Sequence, residues 1–591
     1  MNVLSLIQNN IRSLATAPAI SFRENGVWKS LTWSEFGKEL ARTINALKSI
    51  GVKKQDKVGL YSANSKDWIL VDLATQMLGG VAVPIYATNS QEQTAFIIKQ
   101  TQIKAILVGD LAQLNILREI KKEADFQSVQ VISSVDIETP TDTEYYFPKW
   151  RSVYEDVAEY EEVLDDDVST ILYTSGTTGM PKGVVLAHEN FAAVVEAHKD
   201  FFNIENLHGK KSLAFLPLSH IFEKAWTSFF LSQGGEVAIL DNPKEVSQAL
   251  KEVKPWAMCS VPRLYEKIYQ LLLGKINTAS ATKQKLFRKA LEVGMKYAEK
   301  KRKGETVPFF LNLQYQIFSK LVFNKIKNEL GGNLGFMPVG GAMLKKEIAE
   351  FFEAIGLPII VGYGLTETCA TVTAYPSKNY IHGSVGVPLK GVDVKIGEQN
   401  EILVKYKGVM KGYYNNPDET AKVFTEDGYF RTGDAGRLDE NGNLYIIDRI
   451  KDLMKTSNGK YIAPQSIELP LQTHPSISQA LIVAEGKPYV TSFIVPNFEN
   501  LVKDWEEFKD YVKMNINEKM QLLEMPNIKE KFQKIIDEVQ KNQSPFEKIK
   551  KFTLLPEEFT IEKGELTPTL KIKRRVVMDK LKLQIESFYK D

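Results

Sequence analysis

Eleven consecutive residues, Tyr173-Thr174-Ser175-Gly176-Thr177-Thr178-Gly179-Met180-Pro181-Lys182-Gly183, limit what this chain can fold into more than any other stretch. They follow the β-rich apolar residues Val168, Ile171, Leu172 and Tyr173, and a helical pattern begins after His188. The segment is therefore expected as a loop between a strand and a helix, which calls for a sheet flanked by helices. The glycines let the backbone approach a ligand closely, the hydroxyls of Thr174, Ser175, Thr177 and Thr178 can donate to phosphate oxygens, and Lys182 supplies a compact positive charge. A flexible linker has no need of the lysine or of a strand that delivers it.

The P-loop of nucleoside triphosphatases places four residues between its glycines and continues with Lys-Ser/Thr. Counted from Gly176, Pro181 stands at the second glycine and Gly183 at the closing hydroxyl, so the match fails twice. The segment instead resembles the phosphate loop of adenylate-forming enzymes, the superfamily of acyl-CoA synthetases, luciferases and peptide-synthetase adenylation domains.

Around this loop the chain alternates strand and helix patterns. Ala19 to Trp33 reads as a hairpin about Asn25-Gly26, and Thr32 with Glu35 forms a capping box before Phe36, Leu40, Ile44 and Leu47 at helical spacing. Strand (Val58 to Ser62), helix (Asp67 to Leu78) and strand (Val81 to Ile85) follow, the mark of an α/β sheet with helical crossovers. Past the loop come a helix from about Glu189, strands at Leu213 to Leu216 and Val237 to Leu240, a helix capped by Asn242-Pro243, and a strand at Trp256 to Val261. Residues 264–330 are helical in pattern, and Lys283 to Lys303 holds nine basic residues against Glu292 and Glu299. Phe287, Leu291 and Ala298 form a stripe there, read as packing on its own domain; the alternative is peripheral contact with an anionic membrane. Arg449 to Asp591 reads as a smaller α+β unit, giving domains 1–448 and 449–591.

Length and charge fit this plan. With 591 residues the chain is too long for one core, and a net charge of +2 argues against nucleic acid as the main partner. Cys259 and Cys369 lie far apart with no CxxC pair, which fits a reducing, cytoplasmic setting. Met1 to Ala15 shows no signal-peptide pattern, and no window reaches the roughly 18 apolar residues of a membrane span. Membrane contact is thus expected to be absent or peripheral to the inner face.

Further motifs follow in the order of the superfamily. Tyr363-Gly364-Leu365-Thr366-Glu367 resembles its Tyr-Gly-x-Thr-Glu motif, which implies that Tyr363 stacks on adenine, Thr366 bonds the α-phosphate and Glu367 binds Mg²⁺. Gly340-Gly341-Ala342 resembles the segment lining the adenine pocket and acyl tunnel, or else is a tight turn. Asp434 lies in a match to the ribose-binding motif, and a carboxylate can accept from both ribose hydroxyls. Arg449 and Lys451 fall in a match to the hinge, with Arg449 on the ribose and Lys451 as pivot. Asn458-Gly459-Lys460-Tyr461-Ile462 resembles the glycine loop that swings toward the pantetheine channel. Thr569-Leu570-Lys571 resembles the ending that carries the catalytic lysine, with Lys573, Arg574 and Arg575 leaving the register open. His220 is assigned to positioning the acyl carboxylate, and Trp226 either gates the acyl tunnel or belongs to the core.

The resemblance is strongest to long-chain fatty-acid CoA ligases. It implies a large N-terminal domain of doubly wound sheets with a small β-barrel-like part, and a mobile α+β C-terminal domain. It also implies use of ATP, Mg²⁺ and CoA, with a fatty acid activated as acyl-adenylate. No role falls to either cysteine. The alternatives are an acyl-AMP ligase loading a carrier protein, a CoA ligase for a medium-chain or aromatic acid, and a nucleotide- or lipid-binding scaffold without turnover.

Overall fold

The computed structural model describes residues 2–174, 181–541, 543–560, 563–566 and 572–590. Ser175, Gly176, Thr177, Thr178, Gly179 and Lys571 lie outside the described residues.

An eight-stranded sheet forms the first layer of the large α/β unit. Six of its strands are parallel, in spatial order Val168–Thr174, Val81–Ile85, Lys57–Tyr61, Ala105–Val108, Gln130–Ser133 and Glu144–Tyr146. The chain winds outward in both directions from Lys57–Tyr61, the doubly wound pattern that right-handed crossovers produce. Helix Lys66–Met77 is buried along its whole length between this layer and the next, and its sequence is accordingly apolar nearly all round. A second sheet runs Lys211–Ala214, Glu236–Ile239, Pro18–Glu24, Val27–Thr32. Its last two strands make the expected hairpin. Asn25 and Gly26 both take positive φ (51° and 78°), as a twist-matched two-residue turn requires. The Thr32/Glu35 capping box is formed in full.

Two expectations change. Trp256 to Val261 is not a continuous strand; it makes isolated parallel bridges from Ala257 to Ser212 and Phe336 and from Ser260 to Val339. The segment thereby stitches the second sheet to a third that starts with Met337–Val339 and Ile359–Tyr363. The other change concerns the glycine-rich segment, which joins strand Val168–Thr174 to an antiparallel strand Lys182–Ala187; the helix starts only at His188. Gly183-Val184-Val185-Leu186 has the β-branched, buried character of a strand, and Lys182 pairs with Thr174 in the ladder. The lysine is thus fixed in the sheet ladder and does not stand at a helix N-terminus.

The helical region comprises Pro262–Asn277, Ala281–Arg302, Phe309–Phe318, a π-turn Ser319–Phe323 and Asn324–Glu329. The stripe on Ala281–Arg302 is occupied, since Phe287, Ala290 and Val293 are buried in a core shared with Ile348, Phe351 and Phe352 of helix Lys346–Ala354, Leu291 packs against that core, and Ala298 is buried as well. That helix therefore packs on its own unit and offers no free apolar face. A four-stranded antiparallel sheet (Asp393–Ile396, Glu401–Lys405, Phe430–Leu438, Leu444–Arg449) supplies the small β-rich part. After the turn at Ile450–Asp452 a separate core gathers around Ile482, Ile494 and Phe532, with sheet Ile477–Val483, Val490–Pro496, Ile549–Leu554.

Candidate active site

A single cavity of about 2000 Å³ collects most of the residues singled out in the sequence. Thr174, Lys182, His220, Trp226, Gly340, Gly341, Ala342, Tyr363, Gly364, Thr366, Glu367, Arg449 and Lys451 all border it, with Arg574 from the C-terminal part. Their positions follow from strand ends. Val168–Thr174, Met337–Val339 and Ile359–Tyr363 each finish at the cavity and release their motif there, the usual place for a ligand in an open α/β sheet.

Backbone geometry explains two glycines. Gly341 holds φ of +81°, and a Cβ on Gly364 would stand 1.3 Å from the Ala370 carbonyl oxygen. The turn after Tyr363 folds back too tightly for any side chain. It ends in a short 3₁₀ turn, Thr366–Thr368, that presents Thr366 and Glu367.

Just behind the cavity wall, the buried Asp434 is held from two directions. Tyr363 donates its hydroxyl to Oδ2 (2.6 Å) and Arg449 Nε approaches Oδ1 (2.8 Å). Loss of solvent and the neighbouring Asp434 carboxylate raise the Tyr363 hydroxyl far above its ordinary range, so it remains a donor. Each carboxylate oxygen keeps a lone pair for a further donor.

Lys182 pairs with Glu419, and its Nζ also lies 5.0 Å from the centre of the Tyr413 ring. The Tyr413 hydroxyl donates to Glu367 Oε1 (2.9 Å). Lys182 and Lys422 hold the Glu419 carboxyl down at about 2. Glu419 and Tyr413 were not found in the sequence. Asn416-Pro417 marks a helix start and puts Glu419 in its first turn, yet nothing local signals a partner 237 residues away.

Glu367 suits a divalent cation in one specific sense. Among the described residues no group of three or more His, Cys, Asp or Glu side chains gathers as a metal cage. Mg²⁺, however, commonly takes only one or two carboxylates and completes its shell with phosphate and water. Glu367 borders the cavity and shares Tyr413 as a neighbour with Lys182, so a single carboxylate is offered there.

The far end of the cavity is aromatic. Trp226 stacks on Phe336 at 5.7 Å and 8°, and Phe202 and Phe222 complete this wall. Trp226 is both core and cavity wall: it is 5% exposed, and its Nε1 donates to Ser212 Oγ (2.8 Å). His220 caps helix Ile221–Ser232, accepting at Nδ1 from the Phe222 N–H (3.2 Å). Phe202, Phe222 and Phe336 come from three separate segments, and their apolar character alone did not single them out.

Behind His220, Glu223 is fully buried beside the Cys259 thiol and accepts from the Leu216 N–H (3.0 Å). Burial pushes its carboxyl up from 4.5 to about 8. The protonated form is therefore favoured by the fold, and its stabilisation is present in full below about 4.5 and lost as pH rises through about 8. Glu223→Gln is expected to reduce the fall in the urea unfolding midpoint between about pH 5 and about pH 8, an effect on the order of a few kcal/mol. An unchanged pH dependence in the variant would contradict this assignment.

The fold and this cavity define an adenylate-forming architecture, and comparison with known proteins agrees. Residues 7–414 match the model of the AMP-binding enzyme family, and residues 451–591 match the AMP-binding enzyme C-terminal domain. The chain belongs to the AMP-binding enzyme family. It is 31% identical over 571 residues to long-chain-fatty-acid–CoA ligase FadD15 of Mycobacterium bovis, covering 96% of this chain and 93% of that protein. It is 30% identical to the peroxisomal long chain acyl-CoA synthetase 7 of Arabidopsis thaliana, covering 93% and 80%. Among solved structures, the anthranilate CoA ligase AuaEII in complex with anthranoyl-AMP superposes with a TM-score of 0.75 at 18% identity, over 99% of this chain and 98% of that one. ATP-bound MatB from Rhodopseudomonas palustris gives 0.71 at 20% identity, over 98% and 99%.

Proposed function

We propose that this chain is an ATP-dependent ligase that activates a long-chain fatty acid as acyl-adenylate and transfers it to CoA. The observation that carries the reading is the continuity of one cavity from Lys182 and Glu367, past Tyr363 and Arg449, which hold the buried Asp434 behind them, to the aromatic wall at Trp226 and Phe336. A triphosphate, a nucleoside and an apolar chain can be held there together.

In the first half-reaction a carboxylate oxygen attacks the α-phosphorus, the new O–P bond replaces the bond to the β-phosphate oxygen, and pyrophosphate leaves. Lys182 with Thr174, Ser175, Gly176, Thr177, Thr178 and Gly179 holds the pyrophosphate side, and Thr366 holds the α-phosphate. Tyr363 stacks on adenine beside Gly341 and Ala342, and Asp434 and Arg449 take the ribose. His220 orients the acyl carboxylate, with Gly340 and Trp226 bordering the acyl path. Glu367 is the residue that would hold Mg²⁺, whose charge offsets that of the phosphates. Lys571 stabilises the charge that spreads over the reacting groups. In the second half-reaction the CoA thiolate attacks the acyl carbon and AMP leaves with its oxygen. Residues 449–591 turn about Lys451 between the steps; the turn Ile450–Asp452, which follows strand Leu444–Arg449 directly, supports that pivot.

The test is AMP release measured across carboxylic acids from acetate to oleate, each with and without CoA. Long chains are expected to give the highest kcat/KM, with thioester formed on free CoA. Preference for acetate or an aromatic acid, or dependence on a carrier protein, would overturn the substrate assignment.

A further inference from the structure

One apolar surface lies outside the cavity and, among the described residues, is left exposed. Helix Phe309–Phe318 and the π-turn after it carry two apolar faces. The inner face packs on the unit through Leu311, Tyr315, Phe318, Val322 and Phe323. The outer face consists of Phe309, Phe310, Leu313, Ile317 and Leu321, which are 74%, 76%, 48%, 49% and 50% exposed. Their spacing of about four residues aligns them along one side of the helix. Single exposed apolar residues are ordinary, but five in one stripe form a patch of the kind that marks an interaction surface. Folding does not require it, because the inner face already fixes the helix. The neighbouring helix Ala281–Arg302 shows the contrast, with its apolar side buried and its outer side filled with Lys and Glu.

We infer that this outer face docks on an anionic lipid surface, with the helix lying in the plane of the interface. Charge decides between occupants. From Lys300 to Lys325 the sequence has six basic residues, of which Lys300, Arg302 and Lys303 are ion-paired with Glu305, Glu353 and Glu299. Among the described residues, the exposed Lys320 and Lys325 form no ion pair, and Lys301 rests over the Tyr297 ring at 6.0 Å. A two-fold contact with a second copy would bring these like charges together, whereas anionic headgroups would neutralise them. Phe and Leu on one side with Lys beside them is the arrangement that sits at a headgroup boundary. No described helix is long and apolar enough to cross a membrane, so the contact lies within one leaflet.

The test uses the full chain without substrate, so its outcome is independent of the proposed reaction. Sedimentation with phosphatidylcholine vesicles containing phosphatidylglycerol is compared with sedimentation using phosphatidylcholine alone. Binding is expected to the anionic vesicles, and the triple variant Phe309→Ser, Phe310→Ser, Leu313→Ser should lower the partition coefficient by about tenfold or more. Lys320→Glu with Lys325→Glu should weaken binding to anionic vesicles while leaving the apolar stripe intact. None of these residues borders the cavity, so the thermal midpoint and AMP release with dissolved substrates should be unchanged in both variants. Absence of wild-type binding to anionic vesicles, or equal binding by the triple variant, would overturn the proposal. So would a wild-type dimer that the triple variant dissociates, since the occupant would then be a second copy.

Discussion

Replacing Lys571 with alanine is expected to lower fatty-acid-dependent ATP–pyrophosphate exchange by about a thousandfold. A lysine about 4 Å from charge that develops in the transition state contributes roughly 4 kcal/mol at an effective dielectric near 20. At about 1.36 kcal/mol per decade this is three orders of magnitude in rate, whereas a solvated lysine would change little. The second half-reaction, started from supplied acyl-adenylate and CoA, should be far less affected, because the lysine is assigned to adenylation alone. Full exchange activity in the variant would move the role to Lys573 or to a neighbouring cation. Exchange and thioester formation must therefore be measured separately.

Asp434→Ala is expected to raise the KM for ATP by about a hundredfold, the loss of one or two hydrogen bonds to a charged acceptor. The effect has two sources. The ribose loses its acceptor, and Tyr363 and Arg449 lose the carboxylate that fixes both of them at 2.6 and 2.8 Å. Because the buried Tyr363 hydroxyl is left without its partner, the thermal midpoint should fall as well, and kcat should fall less than kcat/KM. Unaltered KM for ATP would remove Asp434 from the nucleoside site.

Much of the fold was legible because its signals are local. The Asn25-Gly26 turn, the Thr32/Glu35 box and the strand at Val81–Ile85 each depend on residues within one turn or one strand. The motif segments were legible for the same reason, as short runs at strand ends. What escaped depends on distance. Lys182 proved to lie in a strand because residues pairing across the hairpin, and not the helix after it, decide its conformation. Trp256 to Val261 carries a strand's composition but makes only scattered bridges. Tyr413, Glu419 and the aromatic wall reach the cavity from segments far apart in sequence, and periodicity records only which side of an element is apolar.

The polar groups around the cavity share one property. Lys182 is matched by Glu419, Glu367 by Tyr413, and Asp434 by Tyr363 and Arg449. On the proposed reading, phosphate entry at Lys182 is a substitution, in which the incoming oxygen replaces the bond to Glu419, whereas Asp434 can accept from a ribose and keep both of its partners. A molecule with base and sugar but no phosphates has nothing to offer Lys182, and it would leave the Glu419 pair in place. Discrimination against adenosine, and readiness to release AMP once pyrophosphate has gone, then follow from the same stand-in contacts. At Lys182 the protein rests with its own carboxylate in the place proposed for the ligand.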